Sequence, residues 1–312
     1  MATNGIKNRQ PDPLVQRIHR SFADFEDLQE CVRHWDLDFR QLDRGAFDGE
    51  IDLVSIPGVQ LGHVRLERRI EQAGAPPPGL RTIAVPADSA QRVFWRGRQV
   101  HGGQVLVYPL GSEINVISQP GFEMYVLSFS QEVLHAAAQS VGIAQVERLL
   151  DASDAVDVDP GALDALRVSL KAWFSNPGRG WARSELPSAV VRLLAGATQP
   201  QTPVLLMDRA IRLTLQHVDG RPFAALHVGE LCRHIGVSER TLRHSFRDRL
   251  GITPKAYVRD RRLNLVRKAL RDADAAKVGE IANRCEFWHM GQFAADYRRL
   301  FGELPSETLR RD

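Results

Sequence analysis

"LCRHIGVSERTLRHSFRDRLGITP" (residues 231–254) and "IANRCEFWHMGQFAADYRRLFGELP" (residues 281–305) are two copies of one pattern. Leu231 answers to Ile281, Cys232 to Ala282 and Val237 to Phe287, each 50 residues on. Leu242 answers to Phe293, Phe246 to Tyr297, Gly251 to Gly302 and Pro254 to Pro305, each 51 on. An internal repeat with one residue of slip means two structural units of the same kind. In the first copy Leu231, Cys232 and Ile235 give a short helix one apolar stripe, with a small residue where a second helix crosses. Gly236 falls where a turn needs a positive φ, and Ser238 is an N-cap for a second helix that packs through Leu242 and Phe246. This is the grammar of a helix-turn-helix.

Between the copies, "TPKAYVRDRRLNLVRKALRDA" (253–273) reads as one uninterrupted helix, capped by Thr253 with Pro254 in its first turn. At 1.5 Å per residue its length is ~30 Å, close to the ~34 Å between successive major grooves on one face of a duplex. Such a spacer holds two recognition helices one duplex turn apart. Arg261, Arg262, Arg267 and Lys268 on it read as a solvated face.

Charge agrees with a polyanion as partner. The net charge of +3 hides 21 Lys+Arg against 14 Asp+Glu in residues 201–312, on an otherwise acidic chain. With Leu242 turned inward, a 100° step puts Arg240, Arg243, His244 and Arg247 on the opposite face of the second helix. Arginine suits guanine edges, and arginine or histidine suits phosphate. The same construction on Phe293 exposes Gly291, Ala294, Ala295 and Arg298. The first unit is therefore expected to carry most polar base readout. The second is expected to position the protein through Arg298, Arg299 and the helix N-terminus near His289 and Met290.

Upstream, "VQLGHVRL", "RTIAVP", "RVFW", "QVLVYPL", "INVI" and "EMYVLSF" are β-branched or aromatic runs punctuated by Gly, Pro and Asn within residues 50–130. That rhythm predicts a β-sandwich or barrel. From 131 the period turns helical. Leu163, Leu166, Leu170 and Phe174 form a stripe suited to a core or a dimer seam. Breaker-rich "TQPQTP" (198–203) marks the domain boundary.

With these residues in view, the chain beyond about 205 resembles the DNA-binding domain of the AraC/XylS family of bacterial transcription regulators. Residues 20–200 resemble, more loosely, that family's sensing and dimerisation half. The fold class expected is α+β in two domains: an N-terminal cupin-like β-barrel or sandwich with flanking helices, and a C-terminal all-α tandem helix-turn-helix. The expected boundaries are a flexible arm at 1–20, a sensing domain at 21–198, a linker at 199–204 and a DNA-binding domain at 205–312. The two helix-turn-helix units fall at about 228–249 and 278–300. The resemblance implies an effector-responsive activator, a homodimer, and double-stranded DNA and RNA polymerase as partners. An effector-independent architectural binder and a cupin-type enzyme with a DNA-binding tail are the alternatives. One departure stands out: Glu286 occupies the second turn, where the family usually has Gly, at a cost of roughly 1 kcal/mol if its φ is positive.

Chemistry is sparse elsewhere. Cys31, Cys232 and Cys285 share no metal or redox spacing, and read as small core residues in a cytoplasmic protein. His63 and His101 lack the His-x-His of a metal-binding cupin, so no metal or other cofactor is expected. No apolar run approaches a membrane span. Arg81, Trp95 and Tyr108 are candidates to line a small-molecule pocket.

Overall fold

Among the described residues the chain forms twelve short β-strands and eleven helices. The computed structural model describes residues 16–310, apart from 33–34, 109–112, 144–145, 147–149, 152–153, 177–180, 200–204, 222–225 and 273–276. The strands are β1 (Gln16–Phe22), β2 (Asp36–Gln41), β3 (Gly49–Ile56), β4 (Val59–Leu66), β5 (Ile70–Ala75), β6 (Leu80–Pro86), β7 (Arg92–Trp95), β8 (Arg98–His101), β9 (Gln104–Tyr108), β10 (Ile114–Ile117), β11 (Phe122–Ser130) and β12 (Ala155–Asp157). They form two antiparallel sheets, ordered β1-β3-β4-β11-β6-β9-β12 and β2-β5-β10-β7-β8. The architecture is a sandwich of two separate sheets.

Alternation along each strand sends neighbouring side chains to opposite faces. Ile51, Leu66, Leu106 and Met124 of the larger sheet meet Leu37, Phe39, Trp95 and Val116 of the smaller one in a shared core. The outward residues Leu61, Tyr125, Leu127 and Phe129 meet helices α2 (Gln131–Ser140), α3 (Pro160–Ser175) and α4 (Trp181–Ala195). The stripe of Leu163, Leu166, Leu170 and Phe174 is buried there. It is core of this chain, and the dimer-seam alternative falls. Strand β1 pairs with β3 from Gln16 onward, so residues 16–20 belong to the sheet rather than to a free arm.

The outer face of the smaller sheet carries the C-terminal domain. Leu42, Phe94 and Ile117 pack against Ile211, Leu215, Leu242 and Phe246 of that domain. Its helices are α5 (Leu206–Asp219), α6 (Val228–Ile235), α7 (Glu239–Leu250), α8 (Pro254–Arg271), α9 (Val278–Arg284), α10 (Met290–Phe301) and the short α11 (Pro305–Thr308). Most of the expected 199–204 linker lies outside the described residues.

Polar side chains hold the two domains together. Glu71 of β5 has no solvent exposure and accepts hydrogen bonds from Tyr257 (2.8 Å) and from Arg261 (3.0 and 3.1 Å) of α8. Arg261 also reaches Asp219 of α5 at 2.5 Å. Asn264 exchanges two hydrogen bonds with the backbone of Gln41, at 2.9 and 2.8 Å. Arg267 bridges Asp24, just before α1 (Phe25–Cys31), and Glu303, and its guanidinium lies over the rings of Phe25 and Phe301. Arg249 donates to Gln99 of β8 at 2.8 Å. The solvated face expected on the linking helix is thus corrected. Arg261, Arg262 and Arg267 are buried, and only Lys268 stands out in water. Buried guanidinium groups need paired carboxylates: Glu71 and Asp24 of the N-terminal domain serve Arg261 and Arg267, with Asp219 and Glu303 of their own domain, while Arg262 lies over Phe287.

Burial acts to raise the Glu71 carboxyl, but Arg261 and Arg40, with hydrogen bonds from Tyr257 and Asn115, hold it below the ordinary range. A depressed folded value means that its contribution is complete above the unfolded value near 4.5 and is lost as pH falls through the folded one. Removing one partner leaves the other buried and unpaired. Arg261→Ala is therefore expected to cost ~3–5 kcal/mol, and Tyr257→Phe about 1 kcal/mol, in urea unfolding of the full chain. A cost under about 0.5 kcal/mol for Arg261→Ala would mean that the domains do not share this contact in solution.

Candidate nucleic-acid interface

Each helix-turn-helix is built from caps and turns that the repeat encodes. Helix α6 ends at Gly236 in the left-handed region (φ 76°), which only glycine enters freely. Ser238 then accepts the Thr241 N–H at 3.1 Å and starts α7. Helix α7 ends at Gly251 and α10 ends at Gly302, both left-handed (φ 67° and 81°), and Pro254 and Pro305 open the next helices. That geometry explains the Gly-x-x-Pro echo. The glycine terminates the recognition helix, and proline's missing N–H is harmless in the first turn that follows.

Recognition helices α7 and α10 pack inward through Leu242 and Phe246, and through Phe293 and Tyr297, all buried. Their opposite faces meet solvent. Arg240, Arg243, His244 and Arg247 are exposed on α7, and Gly291, Ala295, Arg298 and Arg299 on α10, with Ala294 half-buried. Arg243 is paired with Glu239 at 2.8 Å and Arg299 with Asp296 at 2.8 Å. Arg240, His244, Arg247 and Arg298 have no partner among the described residues, so these groups are available to a ligand. Helix α10 begins at His289 without a side-chain cap, leaving its first N–H groups uncapped by side chains, unlike those of α7. His289 and Met290 are exposed at that end.

Spacer α8 has 18 residues, a length of ~27 Å. It anchors both units. The Tyr257 ring meets Phe246 of α7 at a tilt (centroids 5.7 Å apart), and Arg262 lies over Phe287 in the second turn (4.2 Å). Arg262 also donates to the Glu286 carbonyl at 3.3 Å. Glu286 has φ 59°, so the second turn takes the glycine-type conformation with a glutamate in it.

One exposed group was not singled out from the sequence. Trp288 is 69% exposed at the entrance to α10, beside Met290. The usable signal was its position in a turn, off the apolar stripe set by Phe287 and Phe293.

The candidate pocket residues separate. Tyr108 lines a cavity between the sheets; Arg81 and Trp95 do not. Trp95 is fully buried and donates its indole N–H to the Asp154 carbonyl at 2.6 Å, and Arg81 is buried against Asp151 at 2.6 Å. Both are structural. His63 lies on the far side of the larger sheet, 2.6 Å from Glu123 and stacked on Tyr125.

Residues 231–311 match the family model HTH_18, "Helix-turn-helix domain". The chain is 39% identical over 102 residues to the "Probable thc operon regulatory protein" of Rhodococcus erythropolis, covering 32% of this chain and 31% of that one. It is 46% identical over 76 residues to the "XylDLEGF operon transcriptional activator" of Pseudomonas putida, covering 24% of each. A solved structure described as a probable AraC family transcriptional regulator from Rhodopseudomonas palustris is 33% identical, with 33% of this chain and 95% of that chain covered and a TM-score of 0.31. The C-terminal part of the chain carries a helix-turn-helix domain similar to those of AraC/XylS-family regulators. Its likeness to the two curated relatives spans about a quarter to a third of their length. In AraC/XylS terms the matched part is the tandem helix-turn-helix, and the likeness runs through both recognition helices. Among the described residues, no helix is long and apolar enough to cross a membrane.

Relieving the left-handed glutamate is expected to stabilise the second unit. Glu286→Gly should raise stability by up to about 1 kcal/mol in thermal unfolding. A loss instead would mean that the glutamate side chain contributes more than its backbone costs.

Proposed function

We propose that this chain is a sequence-specific regulator of transcription. It binds double-stranded DNA through α7 and α10 in successive major grooves and responds to a small molecule held in the N-terminal sandwich. The observation that carries the reading is the pairing of two solvent-facing recognition helices on one buried spacer. Helix α8 is sunk into the domain contact, while Arg240, His244, Arg247 and Arg298 remain exposed and unpaired. A rigid spacer of ~27 Å suits two grooves on one face of the duplex.

The protein acts by binding rather than by catalysis, in the cytoplasm, as a homodimer. It acts as an activator that recruits RNA polymerase, in keeping with the Pseudomonas putida relative named a transcriptional activator. The first unit supplies most base readout, because α7 presents two arginines unpaired among the described residues, with a histidine and the Glu239-paired Arg243, where α10 presents one such arginine beside small residues and the Asp296-paired Arg299. The second unit positions the protein through Arg298, Arg299 and the uncapped start of α10, and Trp288 and Met290 offer apolar contact to sugar or thymine methyl groups. An effector-independent architectural binder is the second reading. The cavity between the sheets favours a sensor over it, because a sandwich used only for dimerisation needs no internal space.

Selection of binding sites from random DNA, followed by titration, tests this. Arg243→Ala should weaken the selected site by ~1–3 kcal/mol and relax base preference at one position. Arg298→Ala should weaken all sequences about equally and lower the salt slope by about one. No enriched motif, or a second half-site more stringent than the first, would count against the reading.

A further inference from the structure

The cavity between the sheets has a distinctive lining. Its volume is ≈ 80 Å³. At about 10–15 Å³ per ordered water, that is room for roughly six waters, or one small ring compound. Its walls are mostly aliphatic and aromatic, from α1, β2, β3, β4, β10 and β11. Among the described residues no charged side chain lines it. The polar groups that do are few: Gln60, Gln72, Tyr108, Ser55 and Ser128. Ser128 is paired with Thr82 at 2.8 Å. The Gln60 side-chain oxygen is buried and has no hydrogen-bond partner among the described residues. The Tyr108 hydroxyl makes no hydrogen bond with any described residue, and burial pushes its ionisation well up, so it stays a neutral donor. An unpartnered buried acceptor costs free energy until a donor reaches it. A carboxylate or ammonium group placed here would be desolvated with no counter-charge beside it.

The same walls face the DNA-binding domain from behind. On β5, Gln72 lines the cavity while the adjacent Glu71 turns out to Tyr257 and Arg261 of α8. On β2, Leu37 and Phe39 line the cavity while Asp38 faces Lys268 and the Gln41 backbone meets Asn264. On α1, Leu28 lines it while Asp24 and Asp27, before and within the helix, reach Arg267 and Arg271. Strand alternation thus sets a cavity residue and an α8-holding residue back to back. Strand β2 lies at the edge of its sheet, paired with β5 on one side, with α8 against it through Asn264 and Lys268.

We propose that the cavity takes a small uncharged molecule with an apolar body and one hydrogen-bonding group, such as an alcohol or phenol, and that α1, β2 and β5 carry its occupancy to spacer α8. The proposal rests on the reading of the chain as an effector-responsive regulator. The ligand's donor meets the Gln60 oxygen or its acceptor meets the Tyr108 hydroxyl, while its ring displaces water from the apolar walls. Filling the space shifts Leu28, Leu37, Phe39 and Gln72, and their neighbours re-aim the carboxylates and carbonyl that grip α8. Both recognition helices move with it.

The test uses the full chain and four probes of similar size: benzyl alcohol, phenol, benzoate and benzylamine. In calorimetric titration the two neutral probes should bind and the two charged ones should not. Gln60→Leu should weaken benzyl alcohol by about tenfold, the worth of one hydrogen bond. Leu53→Phe, which fills the space, should abolish binding while DNA binding persists. In hydrogen exchange, benzyl alcohol should change protection in residues 254–271, and Glu71→Gln should remove that change while leaving the probe bound. Benzoate binding as tightly as benzyl alcohol, failure of both neutral probes, or binding without any response in α8 would each overturn the proposal. Specific DNA binding with no probe binding sinks this inference alone. Probe binding with no sequence-specific DNA binding sinks the regulator reading instead.

Discussion

Glu71 is a fully buried carboxylate on the outer face of the smaller sheet, and Arg261, Arg40 and Tyr257 around it favour its ionised form. A charge in that position needs its partners continuously, since a buried ion without them costs several kcal/mol. The partner on α8 therefore ties the spacer helix to the smaller sheet. Asn264 against Gln41, Arg267 against Asp24 and Arg249 against Gln99 extend that tie along the contact. Because α8 is the part shared by both helix-turn-helix units, one set of polar contacts fixes the second domain against the first.

The consequence for function is a division of surfaces. Two buried arginines of α8, Arg261 and Arg267, pair with the N-terminal domain, while the basic residues of α7 and α10 are exposed to solvent. A basic C-terminal third looks like one polyanion-binding surface in a charge count. In space it is split between an internal salt-bridge network and an exposed basic face. The acidic balance of the first 200 residues is likewise partly accounted for: Asp24, Glu26 and Glu71 are counter-charges for the spacer helix.

Most of the C-terminal fold was legible because its signals are local. Capping by Ser238 and Thr253, termination at Gly251 and Gly302, and proline after each depend on residues within one turn of each other. Strands β4, β6, β7, β9, β10 and β11 were also legible, as alternating or apolar runs between breakers. Strands β1 and β2 were not. "QRIHRSF" is almost fully exposed and "DLDFRQ" is mostly polar, so neither stands out as a strand without the partner that pairs with it. The candidate pocket residues divided for the same reason. Arg81, Trp95 and Tyr108 are alike as residues on β-strands, and only the packing of the two sheets shows which of them borders empty space.

The sequence by itself determined the repeat, the two recognition helices, the glutamate in the second turn and the unequal chemistry of the two reading faces. Those properties depend on residues close together in the chain or at fixed helical spacing. Only the tertiary structure decided that Arg261, Arg262 and Arg267 are buried, that the stripe from Leu163 to Phe174 is core, and that cavity residues and spacer-gripping residues share strands. Those facts depend on pairs such as Glu71 with Arg261, or Gln41 with Asn264, which lie about 190 and 223 residues apart. No local pattern records a partner at that distance, because the desolvation that makes each charge need the other arises only once the sheet and the helix have met.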